Sequence, residues 1–569
     1  MNDALQKFLQ IAAASFWDRQ LYVFLIFSVV SVAMFVLVGK KSLKFDPFSG
    51  FAAKFFGKSE ASNYVLIVGV NLFLWAALVS VAGVPVPQTH DEFAYLLAAD
   101  TFSHGRIVNP APASPRHFEY FHILTEPVYA AKYPPLQGFF LATGKILTGF
   151  PIAGVWLSGL LASFAVYWLL RGFFAARWSL YGTLLWICAP LNLVWLDSYW
   201  GGHAAVIGGA LSAGAVFRLS NNGGRKYFIF WGVGIFLLVN SRPFEGAVLT
   251  AVLFFVWVYD ALKRRKFGGR FRGDLAIFAV LIGINLAWTG FYNYMVTSDP
   301  SALPYRLHHA RYHRVPLFVF EKIGEPKPDV PPIVGKLDER WTAEFQDAYR
   351  SPSAAVKSTL ERIPAYLLWL TRSPFLLILL CLGLSGAARG AENVRAAKSV
   401  FIFGAFLAAL TLTVFKGDRF IAPVVGVAFM AVTLGAKMLA RKNEFLKALV
   451  PALPLIVGGA YLSGDSAIER RRVETPRAEN QFLSRSEIVD FLTARGGKHL
   501  IFVETGAAHP ADARFYVYNE AEIKDAAIVW AHDLSPPEND FLTGEFGGRR
   551  IWLLETVDNR AVLREYERK

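Results

Sequence analysis

The first residues of this chain that could carry out chemistry are two adjacent carboxylates, in the sequence His90-Asp91-Glu92. They follow directly on the apolar stretch 64–86. Ionisable groups at membrane depth are costly unless they face water or a partner, so they are candidates for function by default. A carboxylate there could take the proton from a hydroxyl group that attacks a carbon atom. We therefore identify Asp91 as the candidate catalytic base, with Glu92 as its helper.

A structural role is open for both acids. Aspartate is a good N-cap residue, and acidic side chains in the first turn of a helix interact favourably with its dipole. Asp91 and Glu92 could therefore cap a helix that begins at the membrane surface.

Further charged and polar residues lie at or near the ends of other apolar runs, on the side of the membrane that we predict for Asp91. They come from segments that are far apart in the sequence, which indicates one outward-facing cavity that holds carboxylates and cations together. These further candidates are His104, Lys132, Asp197, His203, Arg242, Glu245, Lys416 and Arg419.

Sugar transfer from a lipid-linked phosphate needs this combination of groups. Cations hold the phosphate and stabilise the negative charge that grows on it as the bond breaks. A phosphate leaving group also needs less protonation than an alcohol, so cations can replace the carboxylic acid of glycosidases. A single displacement of this kind inverts the anomeric centre. The predicted phosphate-binding residues are Lys132, Arg242, Lys416 and Arg419, and the predicted acceptor or cavity residues are His104, Asp197, His203 and Glu245.

Each of these candidates has a structural alternative. Lys132 could extend its side chain along the membrane interface, and Arg242 and Glu245 could simply pair with each other. Asp197 and His203 flank a Trp-Gly-Gly sequence and could form a polar turn near the membrane surface. Lys416 and Arg419 could anchor a helix end against lipid headgroups. Three further histidines at 308, 309 and 313 could bind metal, but their spacing favours a solvated loop.

The composition indicates a polytopic membrane protein. The 569 residues are 54% hydrophobic and 18% charged, which is too apolar for an ordinary soluble protein. The net charge is +14, and much of the Lys and Arg lies in short loops between apolar runs. That distribution is an orientation signal of membrane proteins and argues against a nucleic-acid partner. Cys188 and Cys381 both lie inside apolar runs, so neither a disulfide framework nor a zinc site is indicated.

Apolar runs of near-spanning length predict about 12 transmembrane helices. The positive charges in the loops between them predict that both chain termini lie outside. The segment 136–148 is too short to span, and we predict that it is interfacial or re-entrant. The predicted spans are 21–38, 64–83, 152–170, 180–196, 204–216, 227–239, 247–262, 275–295, 367–384, 401–414, 420–439 and 448–462.

Three regions follow from this pattern. Residues 1–61 form an extra N-terminal helix and a cytoplasmic loop, residues 62–465 form the transmembrane catalytic domain, and residues 466–569 form a small extracytoplasmic α/β domain. The catalytic domain carries outer loops at 85–151 and 296–363. In the C-terminal domain, the pattern predicts a helix at 484–494 and strands at 499–504, 526–531 and 550–555.

Four short motifs resemble those of a known superfamily. They are the acidic pair Asp91-Glu92, the sequence Lys132-Tyr133-Pro134-Pro135, the acid Asp197 in the second outer loop, and Arg419-Phe420-Ile421-Ala422-Pro423. Their order and their common side resemble the GT-C superfamily of integral-membrane glycosyltransferases. Within it, the chain resembles the dolichyl-phosphate-mannose–protein mannosyltransferases and the bacterial aminoarabinose–lipid A transferases. The resemblance covers about 64–462. In this chain Tyr133 separates the lysine from the proline pair, and Phe420 stands where tyrosine is common.

The resemblance implies that Asp91 is catalytic and that Lys132 and Arg419 contact the lipid phosphate. The expected function is inverting transfer of a sugar from a polyprenyl-phosphate donor to a hydroxyl of an envelope lipid, glycan or protein. The expected location is the bacterial inner membrane, with the site and the C-terminal domain in the periplasm. No cofactor is certain and no metal ligand is assigned, although an acidic pair could bind a divalent cation. The alternative is a transporter or flippase of a lipid-linked or anionic solute, against which stand the one-sided polar clusters and the lack of an internal repeat.

Overall fold

The computed structural model is mostly helical and describes most of the chain after residue 58. The described residues are 59–567 except for 88, 222–223, 264–268, 328–329, 389–393, 442–445, 447–448, 465–480, 483, 505–515 and 558–559. The predicted first span, at 21–38, lies outside the described residues.

The described helices are numbered in chain order. They are α1 (Glu60–Ala82), α2 (His90–Ser103), α3 (Leu136–Thr148), α4 (Ile152–Leu170), α5 (Ala176–Ile187), α6 (Pro190–Leu196), α7 (His203–Ser220), α8 (Lys226–Val239), α9 (Pro243–Lys263), α10 (Gly269–Thr297), α11 (Pro304–Tyr312), α12 (Pro332–Tyr349), α13 (Pro352–Thr371), α14 (Pro374–Ala388), α15 (Val394–Leu410), α16 (Val425–Ala440), α17 (Leu453–Gly464), α18 (Arg485–Arg495) and α19 (Pro536–Glu545). Short 3₁₀-helices are Pro115–His117, Asp418–Val424 and Val450–Ala452.

Six described helical units are long and apolar enough to cross a membrane. They are α1, α4, α7, α9, most of α10, and the unit that joins the 3₁₀-helix Asp418–Val424 to α16. Two bent pairs of helices, α5 with α6 and α13 with α14, raise the number to eight if each pair counts as one span. Shorter apolar helices correspond to the predicted spans at 227–239, 401–414 and 448–462. The predicted polytopic helical fold is therefore confirmed.

Two predicted spans are not straight helices. The chain bends by 55° between α5 and α6, where Pro190 is the first residue of α6 and has no backbone N–H to continue the preceding helix. It bends by 115° between α13 and α14. There Arg372 adopts φ +41°, a left-handed conformation that ends α13 two residues before Pro374 begins α14. The single span predicted at 367–384 is therefore broken in the structure.

Helix α3 has the bounds that the sequence predicts and is 13 residues long, too short to cross a bilayer. It packs closely on α4, because a Cβ atom on Gly154 would lie 1.8 Å from the carbonyl oxygen of Phe140. Lys145 on α3 forms an ion pair with Asp100 on α2. Helix α3 therefore connects the membrane helices to the first outer loop.

The structure contains two sheets. Strands β1 (Asn109–Pro110), β2 (Ile123–Leu124) and β3 (Val128–Ala131) form an antiparallel sheet in the first outer loop, in the order β1-β3-β2. The C-terminal domain contains five strands in the order β4-β8-β7-β5-β6. These strands are β4 (Gln481–Phe482), β5 (His499–Val503), β6 (Ile528–His532), β7 (Arg550–Val557) and β8 (Arg560–Glu565).

The C-terminal sheet confirms the predicted α/β character. Strand β5 pairs in parallel with β6 and β7, while β8 pairs antiparallel with β7. The predicted helix and three predicted strands correspond to α18, β5, β6 and β7, while the sequence did not predict β4, β8 or α19. The predicted boundary at residue 466 lies outside the described residues.

Buried apolar side chains form two cores. One lies among the membrane helices. The other is shared by the first outer loop, α11, α12 and the C-terminal domain. Within the second core the ring of Tyr518 stacks on Phe93 of α2, with centroids 4.3 Å apart. Arg485 of α18 lies over the same Phe93 ring, 5.2 Å from its centroid. The C-terminal domain is thus packed against the helix that begins with His90-Asp91-Glu92.

Candidate active site

Asp91 is the second residue of α2, and the start of this helix is fixed by its neighbours. Thr89 is the N-cap residue, and Glu92 Oε2 accepts hydrogen bonds from its backbone N–H (3.1 Å) and its hydroxyl (3.2 Å). Glu92 Oε1 accepts from the backbone N–H of Tyr199 at 3.0 Å. Both oxygens of Glu92 are therefore engaged in capping α2 and in holding the second outer loop, which favours the structural alternative for Glu92.

The C-terminal domain also holds the first turn of α2. The hydroxyl of Tyr518 lies 3.0 Å from the carbonyl oxygen of His90 and 3.2 Å from that of Phe121. These two contacts hold the backbone at His90, next to Asp91, and at Phe121, next to His122.

The carboxylate of Asp91 is buried and surrounded by donors and cations. Oδ1 accepts from the hydroxyl of Tyr133 and from Arg419 Nη1 at 3.2 Å. Oδ2 lies 3.5 Å from His90 Nε2 and 4.0 Å from His122 Nε2. Burial on its own would raise the pKa of Asp91, but Arg419, His90 and the Tyr133 hydroxyl together lower this pKa well below its usual range. Asp91 is therefore ionised at neutral pH.

Lys132 lies between β3 and α3 and is 3% exposed. Its Nζ sits over the ring of Tyr305, 4.5 Å from the centroid. Burial lowers the pKa of Lys132 to about 7, with Arg419 acting in the same direction and Asp91 opposing. The buried lysine can therefore gain or lose its charge near neutral pH. Its burial argues against the structural alternative, in which the Lys132 side chain extends along the membrane interface.

Arg419 is held in place by the residues around it. Its guanidinium lies over the ring of Trp200, 4.3 Å from the centroid. The preceding residue, Asp418, pairs with Arg372 at 2.6 Å in the bend between α13 and α14. Arg362 of α13 donates to the carbonyl of Thr413, just before Lys416. The broken helix pair thus positions the segment that carries both Lys416 and Arg419.

A cavity of about 310 Å³ opens beside Asp91. The ends of α8 and α9, the C-terminal part of α10, α11 and the segment 413–420 surround it. Arg242 enters the lining next to Phe420, with the guanidinium 5.2 Å from the ring centroid. Among the described residues, the predicted site residues that line the cavity are Asp91, Lys132, Arg242, Glu245, Lys416 and Arg419. Six of the ten predicted residues thus meet in one place, including every predicted phosphate-binding residue.

The other four predicted residues lie outside the described cavity lining. Glu92 caps α2, as stated above. His104 ends the same helix, and its Nδ1 lies 2.8 Å from the carbonyl oxygen of Asp100. Asp197 follows the last residue of α6 and is mostly buried.

His203 begins α7 and is fully buried. Its Nε2 is 3.0 Å from Asn192 Oδ1, and its ring meets the edges of Trp186 and Trp195. This environment matches that of a packing residue in the membrane core.

The histidines at 308, 309 and 313 do not form a solvated loop, so that prediction is wrong. His308 and His313 are 0% and 4% exposed. They lie in and just after α11, whose Tyr312 packs in the second core. His309 and His313 line the cavity. The sequence analysis missed the short helix α11 because the segment is rich in charged residues. This helix begins at Pro304, and proline is favourable at the first helical position.

The sequence analysis missed several residues that contact the predicted ones. Tyr133 donates to Asp91, although within its motif it looked like an insertion between the lysine and the prolines. Trp200 faces Arg419, so the second outer loop contributes its tryptophan to this contact. Tyr305 and His122 contact Lys132 and approach Asp91 from distant segments, and no spacing in the sequence connects them to it.

Comparisons with known proteins show the fold. No family model and no curated protein matches this chain. The crystal structure of ArnT from Cupriavidus metallidurans bound to undecaprenyl phosphate is 14% identical, with a TM-score of 0.54, over 89% of this chain and 98% of ArnT. The apo state of the same ArnT gives a TM-score of 0.53 at 14% identity over the same shares. The apo oligosaccharyltransferase of Archaeoglobus fulgidus is 12% identical over 86% of this chain and 69% of its own, with a TM-score of 0.45. The likeness to ArnT, at 14% identity, shows that this chain has the ArnT fold.

Proposed function

We propose that this protein is a membrane glycosyltransferase that moves a sugar from a polyprenyl-phosphate donor to a hydroxyl group of an acceptor. The observation that carries this proposal is the Asp91 carboxylate, buried and ionised at the wall of a cavity that five Lys and Arg residues also line, among them the four predicted to bind phosphate. A base and a set of phosphate-binding cations beside one cavity are the two requirements of this reaction.

Lys132, Arg242, Lys416 and Arg419 form the donor side of the proposed site. Their side chains come from three segments and converge on one cavity, which suits a phosphate with three oxygens better than it suits a single carboxylate. ArnT, which shares the fold, has been crystallised with undecaprenyl phosphate. This likeness supports a polyprenyl phosphate as the leaving group here.

Asp91 is the proposed general base. Its low pKa keeps it ionised, and it accepts the proton as the acceptor hydroxyl becomes acidic in a transition state with oxocarbenium character. Attack from the side of Asp91 on a sugar whose phosphate is held by the cations is a single displacement, which inverts the anomeric centre. Glu245 lines the same cavity and is proposed to contact sugar or acceptor hydroxyls.

We propose that the remaining predicted residues act through position. Glu92 orients Asp91 through the start of α2. His104, Asp197 and His203 shape the helices behind the cavity.

For location, we propose the bacterial inner membrane, with the cavity facing the periplasm. The core that the C-terminal domain shares with the first outer loop supports the same side for both.

Reconstitution separates the proposed enzyme from the alternative transporter or flippase. The purified protein is placed in vesicles with a polyprenyl-phosphate sugar labelled in the sugar, and envelope extract supplies lipid, glycan and protein acceptors. We expect label on an acceptor together with an equal amount of free polyprenyl phosphate. Label that only changes its side of the vesicle membrane, with donor intact, would refute the enzyme and favour the flippase.

A further inference from the structure

The C-terminal domain contacts both ends of α2, the helix that carries the candidate base. At the first turn, the hydroxyl of Tyr518 donates to the carbonyl oxygen of His90 at 3.0 Å. At the last turn, the backbone N–H of Ala521 donates to Asp100 Oδ2 at 2.7 Å. A hydroxyl and a backbone amide from residues three positions apart therefore hold this helix at both ends.

The same hydroxyl also holds a segment of the first outer loop. It lies 3.2 Å from the carbonyl oxygen of Phe121, so two carbonyl groups share its proton. Asp91 follows the carbonyl of His90 in the chain, and His122 follows that of Phe121. His122 Nε2 lies 4.0 Å from Asp91 Oδ2. Tyr518 thus joins the two backbone segments from which these side chains approach each other.

The backbone of His122 is held in an uncommon conformation. Its φ is +65°, in the left-handed region that residues other than glycine rarely adopt. Its N–H donates to His308 Nε2 at 3.1 Å, and its carbonyl oxygen accepts from the backbone N–H of Lys132 at 3.0 Å. A conformation of this kind persists only where the surroundings impose it. The Tyr518 hydroxyl, on the preceding carbonyl group, is one of the contacts that do so.

Packing fixes the position of the Tyr518 hydroxyl. The residue is 3% exposed, and its ring stacks on Phe93 and meets the edge of Tyr120 at 5.2 Å between centroids. Arg485 donates to the backbone carbonyl of Tyr518 at 2.8 Å. Burial raises the pKa of Tyr518 well above its usual value, so the hydroxyl keeps its proton and remains a donor.

We propose that Tyr518 is a positioning residue of the transfer reaction, through which the C-terminal domain holds Asp91 in its reactive position. This inference rests on the proposed function, in which Asp91 is the base. Asp91 is the second residue of α2, and helix ends fray. A base must stay within about 2.6–3.2 Å of the proton that it accepts. A displacement of about 1 Å can cost about 100-fold in rate, so a restraint on this turn matters for catalysis.

The donor side of the site is held by other contacts. Arg242 precedes α9, and its backbone N–H donates to the carbonyl of Leu238 in α8. Lys416 and Arg419 lie on the segment that the bend between α13 and α14 positions. Loss of the Tyr518 hydroxyl should therefore slow the chemical step and leave the binding of the donor phosphate unchanged.

The test compares two phenylalanine variants of the full chain, purified in detergent. Tyr518→Phe removes the hydroxyl and keeps the ring that stacks on Phe93. Tyr129→Phe is the matched control, because the Tyr129 hydroxyl also joins the first outer loop to the C-terminal domain, through the carbonyl of Asn519 at 3.2 Å. Thermal unfolding checks that each variant is folded. If Tyr518→Phe does not fold, Arg485→Lys takes its place, since it weakens the anchor of the Tyr518 backbone.

Hydrogen exchange followed by mass spectrometry reports on the start of α2 without any substrate. The backbone N–H groups of Glu92 and Phe93 both donate to the carbonyl of Thr89 in the first turn. Loss of one hydrogen bond to this turn should speed the exchange of these amides about two- to tenfold in Tyr518→Phe. In Tyr129→Phe their exchange should match that of the wild type.

The kinetics of sugar transfer separate positioning from a general structural role. In Tyr518→Phe we expect kcat to fall about 10- to 100-fold because the base is less well placed. The donor KM should stay within about twofold of the wild type, because the phosphate contacts are retained. A general loosening of the interface would also act in Tyr129→Phe, for which we expect wild-type kcat and KM.

Three results would overturn the inference. They are an unchanged kcat in Tyr518→Phe, an equal loss of kcat in Tyr129→Phe, and exchange at the start of α2 that does not respond to the Tyr518 change. If the wild type transfers no sugar but exchange responds as expected, the proposed function fails while the hold of Tyr518 on α2 stands. The two failures are therefore distinguishable.

Discussion

Replacing Arg419 by glutamine removes the guanidinium whose Nη1 lies 3.2 Å from Asp91 Oδ1. A hydrogen bond to a charged group contributes about 1.5–3 kcal/mol. One pKa unit corresponds to about 1.36 kcal/mol, so the pKa of Asp91 should rise by about one to two units in the variant. The sign follows from the native state: Arg419 lowers the pKa of Asp91, and its loss lets burial raise it.

The consequence appears in the pH dependence of sugar transfer. The base form of Asp91 is active, so kcat/KM falls on the acidic side as pH drops through the pKa of Asp91 in the free enzyme. In the wild type this fall should lie below the usual aspartate range. In Arg419→Gln it should move up by about one to two pH units, and the donor KM should rise because a phosphate contact is lost.

Arg311→Gln is the matched control. Arg311 also pairs with carboxylates of an outer loop, Glu119 at 2.7 Å and Glu126 at 2.9 Å, but it lies outside the described cavity lining. Its pH profile and donor KM should match those of the wild type. If the acidic limb of Arg419→Gln stays where it is in the wild type, Arg419 does not control Asp91 and the electrostatic argument fails.

Two further predictions concern Lys132 and Glu92. Burial lowers the pKa of Lys132 to about 7, so its charged form is present below pH 7 and lost above it; donor kcat/KM should fall above about pH 7, and Lys132→Arg should move that fall to higher pH because arginine keeps its charge. An equal fall in both proteins would contradict this assignment. Glu92→Gln weakens the cap of α2 and should lower stability by about 0.5–2 kcal/mol, seen as a lower Tm, while transfer falls by less than tenfold. A loss of transfer as large as that of Asp91→Asn, at unchanged Tm, would instead make Glu92 catalytic.

The sequence predicted the membrane helices and most of the charged residues that line the cavity. Long apolar runs between positively charged loops depend on local composition alone, and they located most of the membrane helices. Charged residues at the ends of these runs were recognised for the same reason, because a charge beside an apolar segment is costly without a partner. This reasoning found Asp91 and four of the five Lys and Arg residues that line the described cavity; Arg306 was missed.

Other features depend on contacts that no local pattern records. His203 looked like a site residue because it begins an apolar run, yet it packs between tryptophans in the core. Tyr133, His122 and Tyr305 meet around Asp91 and Lys132 only because three distant segments converge. Tyr518 likewise holds the start of α2 only because the C-terminal domain packs against the first outer loop, and no sequence pattern predicted that packing.

The central claim is that Asp91 is the base for sugar transfer, and one comparison tests it most directly. Turnover of a polyprenyl-phosphate sugar is measured for wild type, Asp91→Asn and Asp91→Ala. Asp100→Asn serves as the control, a carboxylate on the same helix that pairs with Lys145 and lies outside the described cavity lining. The account predicts that both Asp91 variants lose about 10²- to 10⁴-fold in kcat, while the control stays within tenfold of the wild type. Wild-type turnover in both Asp91 variants would contradict it.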